Sequence, residues 1–570
     1  MTETMKVFRQ IGWCRYLFLL SIIWFIFALI FISFLRHEPD INTSDRISEA
    51  MRKLNLLQRR ESEMMNLLTE FSHGLQENDR DKFLKRLNHI SKNHNIQSEP
   101  FLKYETLRRR LYHNVHELWY YINFQTSQFT KELKKSPSKK RLTSFMNMIG
   151  EFKRSIVKDI NDLEEVDGYK EWRLNENEEL SNLVQRRLHY LQNPKDCKTA
   201  KKLVCDLNKG CGYGCQLHHL VYCFIVAYGT ERTLIVKSRG WRYSPPGWEK
   251  VFLPVSNTCT TADGVTHSAW PGHPNTQVVS LPIIDSLSPR PPYLPLSIPE
   301  DLSARIIRIH GDPIVWWVGQ FLKYLLRPQS NIKRMLSEYE EKLGFKKPIV
   351  GVHIRRTDKV GTEAAFHALD EYMTEVEEYY RSLQMTQSVS VKRVYIATDD
   401  PKVFEEAKLK YTDYEIIGDA KISKSAAVNN RYSENSLSGI ITDIHLLSLT
   451  DYLVCTFSSQ VCRVAYEIMN NIHFDAAQRY RSLDDIYYYG GQKARCQVVV
   501  IPHRATRPEE IDLKVGDILT VAGNHWDGYS KGTNTRTFKT GLYPTFKVIP
   551  KVETASFPTY PQVPIEPNEL

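Results

Sequence analysis

Within the segment His353-Ile354-Arg355-Arg356-Thr357-Asp358-Lys359-Val360-Gly361-Thr362-Glu363 the chain places the residue types of an anion-handling active site. The apolar run Pro348–Val352 before it reads as a buried strand, so these charges leave the strand at its carboxyl end, the edge where open α/β sheets bind ligands. Two adjacent arginines suit a diphosphate, because a guanidinium can grip phosphate oxygens in a bidentate way. Glu363 follows eight residues after Arg355, within reach of the same site and able to act as a general base. A surface salt-bridge cluster is the plainer alternative.

Further distinctive wording surrounds this segment: Lys209-Gly210-Cys211-Gly212-Tyr213-Gly214-Cys215, Trp316-Trp317, Ala397-Thr398-Asp399-Asp400 and Cys455-Thr456-Phe457-Ser458-Ser459-Gln460-Val461-Cys462. Together with Ala364-Ala365-Phe366-His367, these stretches resemble the α-1,6-fucosyltransferases, from about Cys197 to Pro550. The resemblance implies inverting transfer of fucose from GDP-β-L-fucose to the 6-hydroxyl of the innermost, asparagine-linked N-acetylglucosamine of N-glycans. Glu363 would be the base and Arg355 the main diphosphate contact, assisted by Arg356, Lys359 and Ser459, so that Glu363, Lys359 and Arg355 form the catalytic set. His353 and Asp443 would read the nucleotide, with Tyr243, Tyr372, Asp358, Asp399 and Asp400 carried over as pocket or supporting residues. Read alone, Asp443 is a residue near a helix N-terminus. For the acceptor the resemblance points to Lys209, Asp285, Gln460 and His525. The Gly210–Gly214 loop has no phosphate-loop spelling, and Asp285 alone reads as a turn aspartate. Asp399-Asp400 and Asp484-Asp485 lack the alternating Asp-x-Asp form of metal-dependent glycosyltransferases, and the resemblance implies that no metal or other cofactor is needed.

The 570 residues, 42% hydrophobic and 25% charged, allow several domains with sizeable cores and argue against wholesale disorder. The net charge of +10 suits an anionic ligand. Nucleic acid is not expected as a partner, since neither zinc-finger spacing nor an RNA-recognition signature is present. Leu17–Leu35 is uncharged and apolar apart from two serines, and at helical rise would cover roughly 28 Å, near bilayer thickness. Lys6, Arg9 and Arg15 precede it. The expectation is a single-pass type II Golgi membrane protein, with tail 1–15, anchor 16–35 and a luminal remainder. Nine of the ten cysteines follow residue 196. A zinc cluster with His218 and His219 is conceivable from the crowding, but disulfides are the default in a lumen. The resemblance implies Cys197–Cys259, Cys205–Cys223, Cys211–Cys215 and Cys455–Cys462. Asn42 and Asn257 lie in formal glycosylation sequons of doubtful use.

The fold expected around these residues is α/β, a GT-B-like glycosyltransferase flanked by a helical stem and a small barrel. Residues 36–195 read as the stem, with an imperfect seam at Ile47, Met51, Leu54, Glu61, Met65 and Leu68, helices over Tyr104–Phe129 and Phe145–Asp162, and a basic linker at Lys131–Arg141. This region is expected to form a homodimer. Residues 196–345 read as an open-sheet α/β subdomain, 346–495 as a Rossmann-type donor subdomain, 496–550 as an SH3-like barrel and 551–570 as a tail. The barrel departs from its type: Tyr529 stands at the groove tryptophan position and Pro502–Thr506 replaces the usual aromatic opening, so assembly or acceptor contact through His525 and Trp526 is expected rather than polyproline binding. The competing functions are a membrane-tethered coiled-coil and SH3 adaptor, and a glycan-binding pseudoenzyme.

Overall fold

The computed structural model describes residues 99–132, 137–357, 360–361, 364–427, 429–490 and 495–564. The seam around Ile47–Leu68, the sequon at Asn42, and Asp358, Lys359 and Glu363 lie outside them. Among the described residues no helix is long and apolar enough to cross a membrane. This corrects the expectation of a Golgi membrane protein; the Leu17–Leu35 segment that motivated it lies outside the described residues.

Three helices come first: α1 (Leu102–Glu132), α2 (Pro137–Val166) and α3 (Lys170–Gln192). The expected linker Lys131–Arg141 is shorter than its composition implies, because α2 already starts at Pro137. Proline is tolerated at the first helical position, where its missing N–H would have had no partner anyway. Buried charge pins the three together. Arg173 donates Nε to Glu105 of α1 at 2.9 Å and Nη1 to Asp167 at 3.1 Å, while Arg108 reaches the same Glu105 at 3.0 Å. Removing one partner of such a cluster strands the others, at a cost of about 3–5 kcal/mol.

The first sheet, order β2-β1-β4-β3, is parallel throughout: β1 (Lys202–Asp206), β2 (Thr233–Lys237), β3 (His267–Ala269) and β4 (Val278–Ser280). Helix α4 (Tyr213–Gly229) crosses from β1 to β2 and is almost wholly buried, as its continuous apolar sequence requires. After β5 (Ser297–Pro299) come α5 (Glu300–Ile309), α6 (Pro313–Leu325) and α7 (Ser330–Lys342). Trp317 of α6 is fully buried, edge-on to Tyr228, Phe321 and Phe557.

The second sheet is also parallel, in the order β10-β9-β6-β7-β8. Its elements in chain order are β6 (Ile349–Ile354), α8 (Leu369–Gln384), β7 (Lys392–Thr398), α9 (Lys402–Lys410), β8 (Tyr414–Ile417), α10 (Ala420–Ser425), α11 (Glu434–Leu449), β9 (Tyr452–Cys455), α12 (Gln460–Ile472) and β10 (Tyr480–Ser482). All six residues of β6 are buried, which explains its unbroken apolar run. From β6 the chain builds outward through β7 and β8, then returns to place β9 on the other side. The crevice between β6 and β9 is therefore a topological switch point.

The barrel is antiparallel, in the order β14-β13-β12-β11-β15: β11 (Cys496–Val499), β12 (Ile518–Asn524), β13 (Tyr529–Asn534), β14 (Thr540–Pro544) and β15 (Val548–Pro550). The segment expected as a tail is not one. Strand β16 (Glu553–Ala555) pairs in parallel with β5, and Phe557 and Tyr560 are buried in the first subdomain, where the Tyr560 hydroxyl donates to Tyr228 O at 2.6 Å.

Disulfides join Cys197 to Cys259, Cys205 to Cys223, Cys211 to Cys215 and Cys455 to Cys462. His219 lies against the Cys205–Cys223 pair, the crowding that suggested zinc, but those sulfurs are bonded to each other.

Candidate active site

The site is built where β6, β7 and β9 end. Register pairs Ile354 with Thr398 and Val352 with Val454, so residues 355–357, 399–400 and 456–459 emerge side by side. Asp399 is the hub. Its carboxylate accepts the backbone N–H of Arg356 at 2.8 Å and of Thr357 at 3.2 Å, accepts the Thr357 hydroxyl, and pairs with Arg355 Nη1 at 2.7 Å. Burial alone would raise its pKa, but the charge of Arg355 and these hydrogen bonds prevail and hold it below the usual carboxylate range.

The two arginines do different work. Arg355 lies on the side of Tyr243, whose hydroxyl senses its charge. Arg356 rests over the Phe366 ring at 5.0 Å, with Glu406 at 3.4 Å and Asp400 at 3.7 Å from Nη1. Asp400 also accepts the Lys402 N–H at 3.1 Å and so starts α9. Arg356 is thus engaged by Phe366 and two carboxylates, whereas Arg355 is held by Asp399 with Tyr243 within range of its charge.

His353, near the end of β6, is buried, and its Nδ1 has no hydrogen-bond partner among the described residues. Desolvation, followed by the charge of Arg355, lowers its pKa to about 4, so the ring is neutral near pH 7. Asp443 lies in the body of α11 rather than at its N-terminus, which corrects the local reading of that residue. It is buried, accepts the Tyr395 hydroxyl at 2.7 Å, and is pushed up to about 7 by desolvation. A buried carboxyl group with one hydroxyl partner has capacity left for donors on a ligand.

Tyr243 is buried beside Tyr432, ring centroids 5.1 Å apart, and its hydroxyl accepts the Tyr213 N–H at 3.0 Å at the start of α4. Tyr372 is buried against Thr456, and burial raises its pKa. Ser459 precedes α12 in extended conformation without capping that helix through its side chain. Its hydroxyl stands at a helix N-terminus, a natural place for an anion.

Of the acceptor candidates, Gln460 directly follows the 456–459 segment at this edge. Lys209 and Asp285 form an ion pair of 2.8 Å, and Gln216 fixes the Lys209 backbone by donating to its carbonyl at 2.7 Å. Gln460 opens α12, with a buried Oε1 that lacks a partner among the described residues. It abuts Gly214, where a Cβ would lie 3.0 Å from Gln460 Cβ and 3.1 Å from its carbonyl carbon. The absence of a side chain at Gly214 eases this close approach of the N-terminal turns of α4 and α12, and each brings the positive end of a helix dipole to the junction of the two subdomains. His525 sits on the barrel loop next to Trp526, whose Nε1–H donates to Asp484 O at 2.8 Å. The Asp484 carboxylate accepts the N–H groups of Phe457 at 2.7 Å and Ser458 at 3.2 Å. It is therefore committed to the loop before Ser459, whereas among the described residues the Asp485 carboxylate accepts only the Ile486 N–H at 2.8 Å.

Reading the sequence missed Tyr395 and Asp484 as supports of the site, and assigned Trp526 to acceptor contact where its indole instead bonds Asp484. Asp484 had a signal in its paired aspartates, but one that pointed to metal. Tyr395 carried none, because a tyrosine in a strand is ordinary.

The arrangement can hold a diphosphate against Arg355 and Ser459, a donor-rich base against Asp443, and a polyol beside Lys209, Asp285 and Gln460. The family profile described as Alpha-(1,6)-fucosyltransferase N- and catalytic domains matches residues 5–488, and that of the variant SH3 domain matches 499–548. The chain is 58% identical over 466 residues to the Alpha-(1,6)-fucosyltransferase of Drosophila melanogaster, covering 81% of this chain and 75% of that protein. It is 40% identical over 520 residues to the Alpha-(1,6)-fucosyltransferase of Caenorhabditis elegans, covering 89% and 90%. The crystal structure of the fucosyltransferase NodZ from Bradyrhizobium is similar at 13% identity and a TM-score of 0.29, over 47% of this chain and 93% of that one.

Proposed function

Because the chain belongs to the α-(1,6)-fucosyltransferase family, we propose that the crevice between β6 and β9 takes GDP-β-L-fucose and that the enzyme transfers its fucose to the 6-hydroxyl of the innermost N-acetylglucosamine of an N-glycan. The observation that carries this reading is Arg355, held at 2.7 Å by Asp399 at the carboxyl end of β6. Residues 346–495 then serve as the donor subdomain, and residues 196–345 with the barrel serve the acceptor.

In the proposed reaction the acceptor oxygen attacks the anomeric carbon of fucose from the face opposite the diphosphate. The bond from that carbon to the β-phosphate oxygen breaks as the new one forms, so β-linked fucose becomes α-linked. Glu363 takes the hydroxyl proton. Arg355, with Ser459 and Lys359, neutralises the charge that grows on the departing GDP, each charge-assisted hydrogen bond contributing about 1.5–3 kcal/mol. Asp399, Asp400 and Arg356 brace the loop, and Asp358, outside the described residues, keeps its expected role as a donor-pocket or supporting residue. His353 and Asp443 bind the nucleoside, with Tyr243 and Tyr372 as walls. Lys209, Asp285, Gln460 and His525 orient the glycan. No divalent cation is needed, since Asp399 is saturated by Arg355 and three further donors and a guanidinium already supplies the positive charge.

The protein is further proposed to dimerise through the helical hairpin. On α1, Leu107, Leu111 and Leu118 are exposed, and on α2 so are Phe145, Met148, Phe152 and Ile156, which recur at helical spacing on one face. The adaptor reading is weakened by the barrel itself, whose Tyr529 is covered by Arg507 at 4.5 Å and lies beside Tyr121 of α1.

The test is transfer in EDTA from GDP-fucose to a biantennary N-glycan exposing terminal N-acetylglucosamine, with Glu363→Gln beside the native enzyme. Fucose on the innermost sugar's 6-hydroxyl, with a folded, GDP-binding but inactive variant, supports the assignment. Full activity in Glu363→Gln, or activity abolished by EDTA and restored by a divalent cation, overturns it.

A further inference from the structure

We infer that Trp526 is a positioning residue for fucosyl transfer: the barrel uses its indole N–H to fix the loop 456–459 that delivers Ser459 and Gln460 to the crevice. The inference rests on the assignment of Ser459 to the donor pocket.

Trp526 has φ of +54°, a left-handed backbone that a bulky aromatic residue rarely adopts. Such a conformation persists only where the surroundings over-determine it, and here they can be named. Asn524 Oδ1 accepts the Trp526 N–H at 2.9 Å, and the same Asn524 donates Nδ2 to Glu117 of α1 at 3.0 Å. The Arg481 guanidinium lies 4.3 Å from the Trp526 ring and 4.3 Å from that of Tyr120, also on α1. Arg481 further pairs with Glu375 of α8 at 3.4 Å. The indole is thus aimed by contacts from the helical hairpin, the barrel and the donor subdomain at once.

What it is aimed at is Asp484. Trp526 Nε1–H donates to the Asp484 carbonyl at 2.8 Å. The carboxylate of that residue accepts Phe457 N–H, Ser458 N–H and the Ser482 hydroxyl at 3.0 Å. One side chain therefore holds two successive amides of the loop, and the indole holds the backbone of that side chain. The stack on Arg481 would be satisfied by any aromatic ring. The directed N–H bond would not, and it separates a positioning role from mere packing.

Trp526→Phe in the full-length chain keeps a ring over Arg481 and removes the N–H. GDP affinity by calorimetry and KM for GDP-fucose are expected to weaken about fivefold, the worth of one ordinary hydrogen bond. The melting temperature should stay within a few degrees, and Asp484→Asn should weaken GDP in the same direction. The double variant should fall short of the summed single effects, because both act through one link. A lowered melting temperature with unchanged affinity and KM, or no change in any of these, overturns the inference. Ser459→Ala is measured alongside. If it weakens GDP and Trp526→Phe does not, the inference alone fails; if Ser459→Ala leaves GDP affinity unchanged, the donor-pocket assignment fails and the inference falls with it. Should Trp526→Phe not fold, Asp484→Asn with the same readouts decides.

Discussion

Arg355 and Asp399, each the first residue beyond the end of neighbouring parallel strands of one sheet, meet at 2.7 Å, and the same carboxylate also holds the backbone of Arg356 and Thr357. The presentation of the guanidinium therefore depends on a residue 44 positions further along the chain that need not touch the donor. Asp399→Asn removes the charge and part of the acceptor capacity while keeping the shape. GDP affinity, measured by calorimetry, is expected to fall about 10- to 100-fold, the range of one or two charge-assisted hydrogen bonds. Affinity within twofold of the native value would show that Arg355 does not need this anchor.

Asp443 gives the site a pH dependence whose sign follows from its environment. Burial raises its pKa to about 7, so in the free enzyme the group is about half protonated at neutrality and holds its proton below it. A carboxylate that accepts two donors from a purine edge must be ionised. GDP binding should therefore release a proton, and affinity should rise with pH before levelling above about 7. Titrations in buffers of different ionisation enthalpy measure that proton directly, and Asp443→Asn should abolish the release. For stability the sign is opposite: a raised carboxyl pKa favours the fold below the unfolded value near 4, and this contribution is lost as pH rises through 7.

Helices α6 and α12 touch backbone to backbone at Gly319. A Cβ there would stand 2.5 Å from the Glu467 carbonyl oxygen, which cannot rotate away as a flexible side chain could. Gly319→Ala is expected to destabilise the enzyme by about 1–3 kcal/mol, the usual cost of overpacking, read from the midpoint of denaturant unfolding. An unchanged midpoint would mean that the two helices separate freely.

The exposed apolar face of α1 and α2 makes the dimer testable. Phe145→Glu with Phe152→Glu places charge on positions 51% and 60% exposed, so the isolated chain should fold as before. Light scattering at micromolar concentration should show a monomer for the variant and a dimer for the native protein. A native monomer would refute the proposal, as would an undisturbed variant dimer.

Much of the donor subdomain was legible because its elements obey local rules. The buried run Ile349–Ile354 can only be a strand covered on both faces, and the alternation that follows requires a parallel sheet. The site was legible in part. Arg355 announces itself by type and place, whereas Asp443 reads locally as a helix-start residue and proves to be a mid-helix group defined by Tyr395, 48 positions away. Contacts of this kind, like Trp526 on Asp484, are long-range pairings that periodicity does not encode. The segment after Pro550 misled for the same reason: its short, proline-interrupted spelling resembles a tail, and only the partner strand β5 turns it into structure.

The return of β16 to β5 makes the barrel an insertion rather than an appendage. Its polypeptide leaves the donor subdomain after β10, completes five strands, and re-enters the catalytic body, where Phe557 closes over Trp317. A stop codon after Pro550 would spare every strand of the barrel and yet unseal the core of the other subdomain. Terminal truncation therefore cannot isolate what the barrel contributes. The clean experiment is an internal excision of residues 496–550, bridged by a flexible linker, with residues 551–564 kept in place.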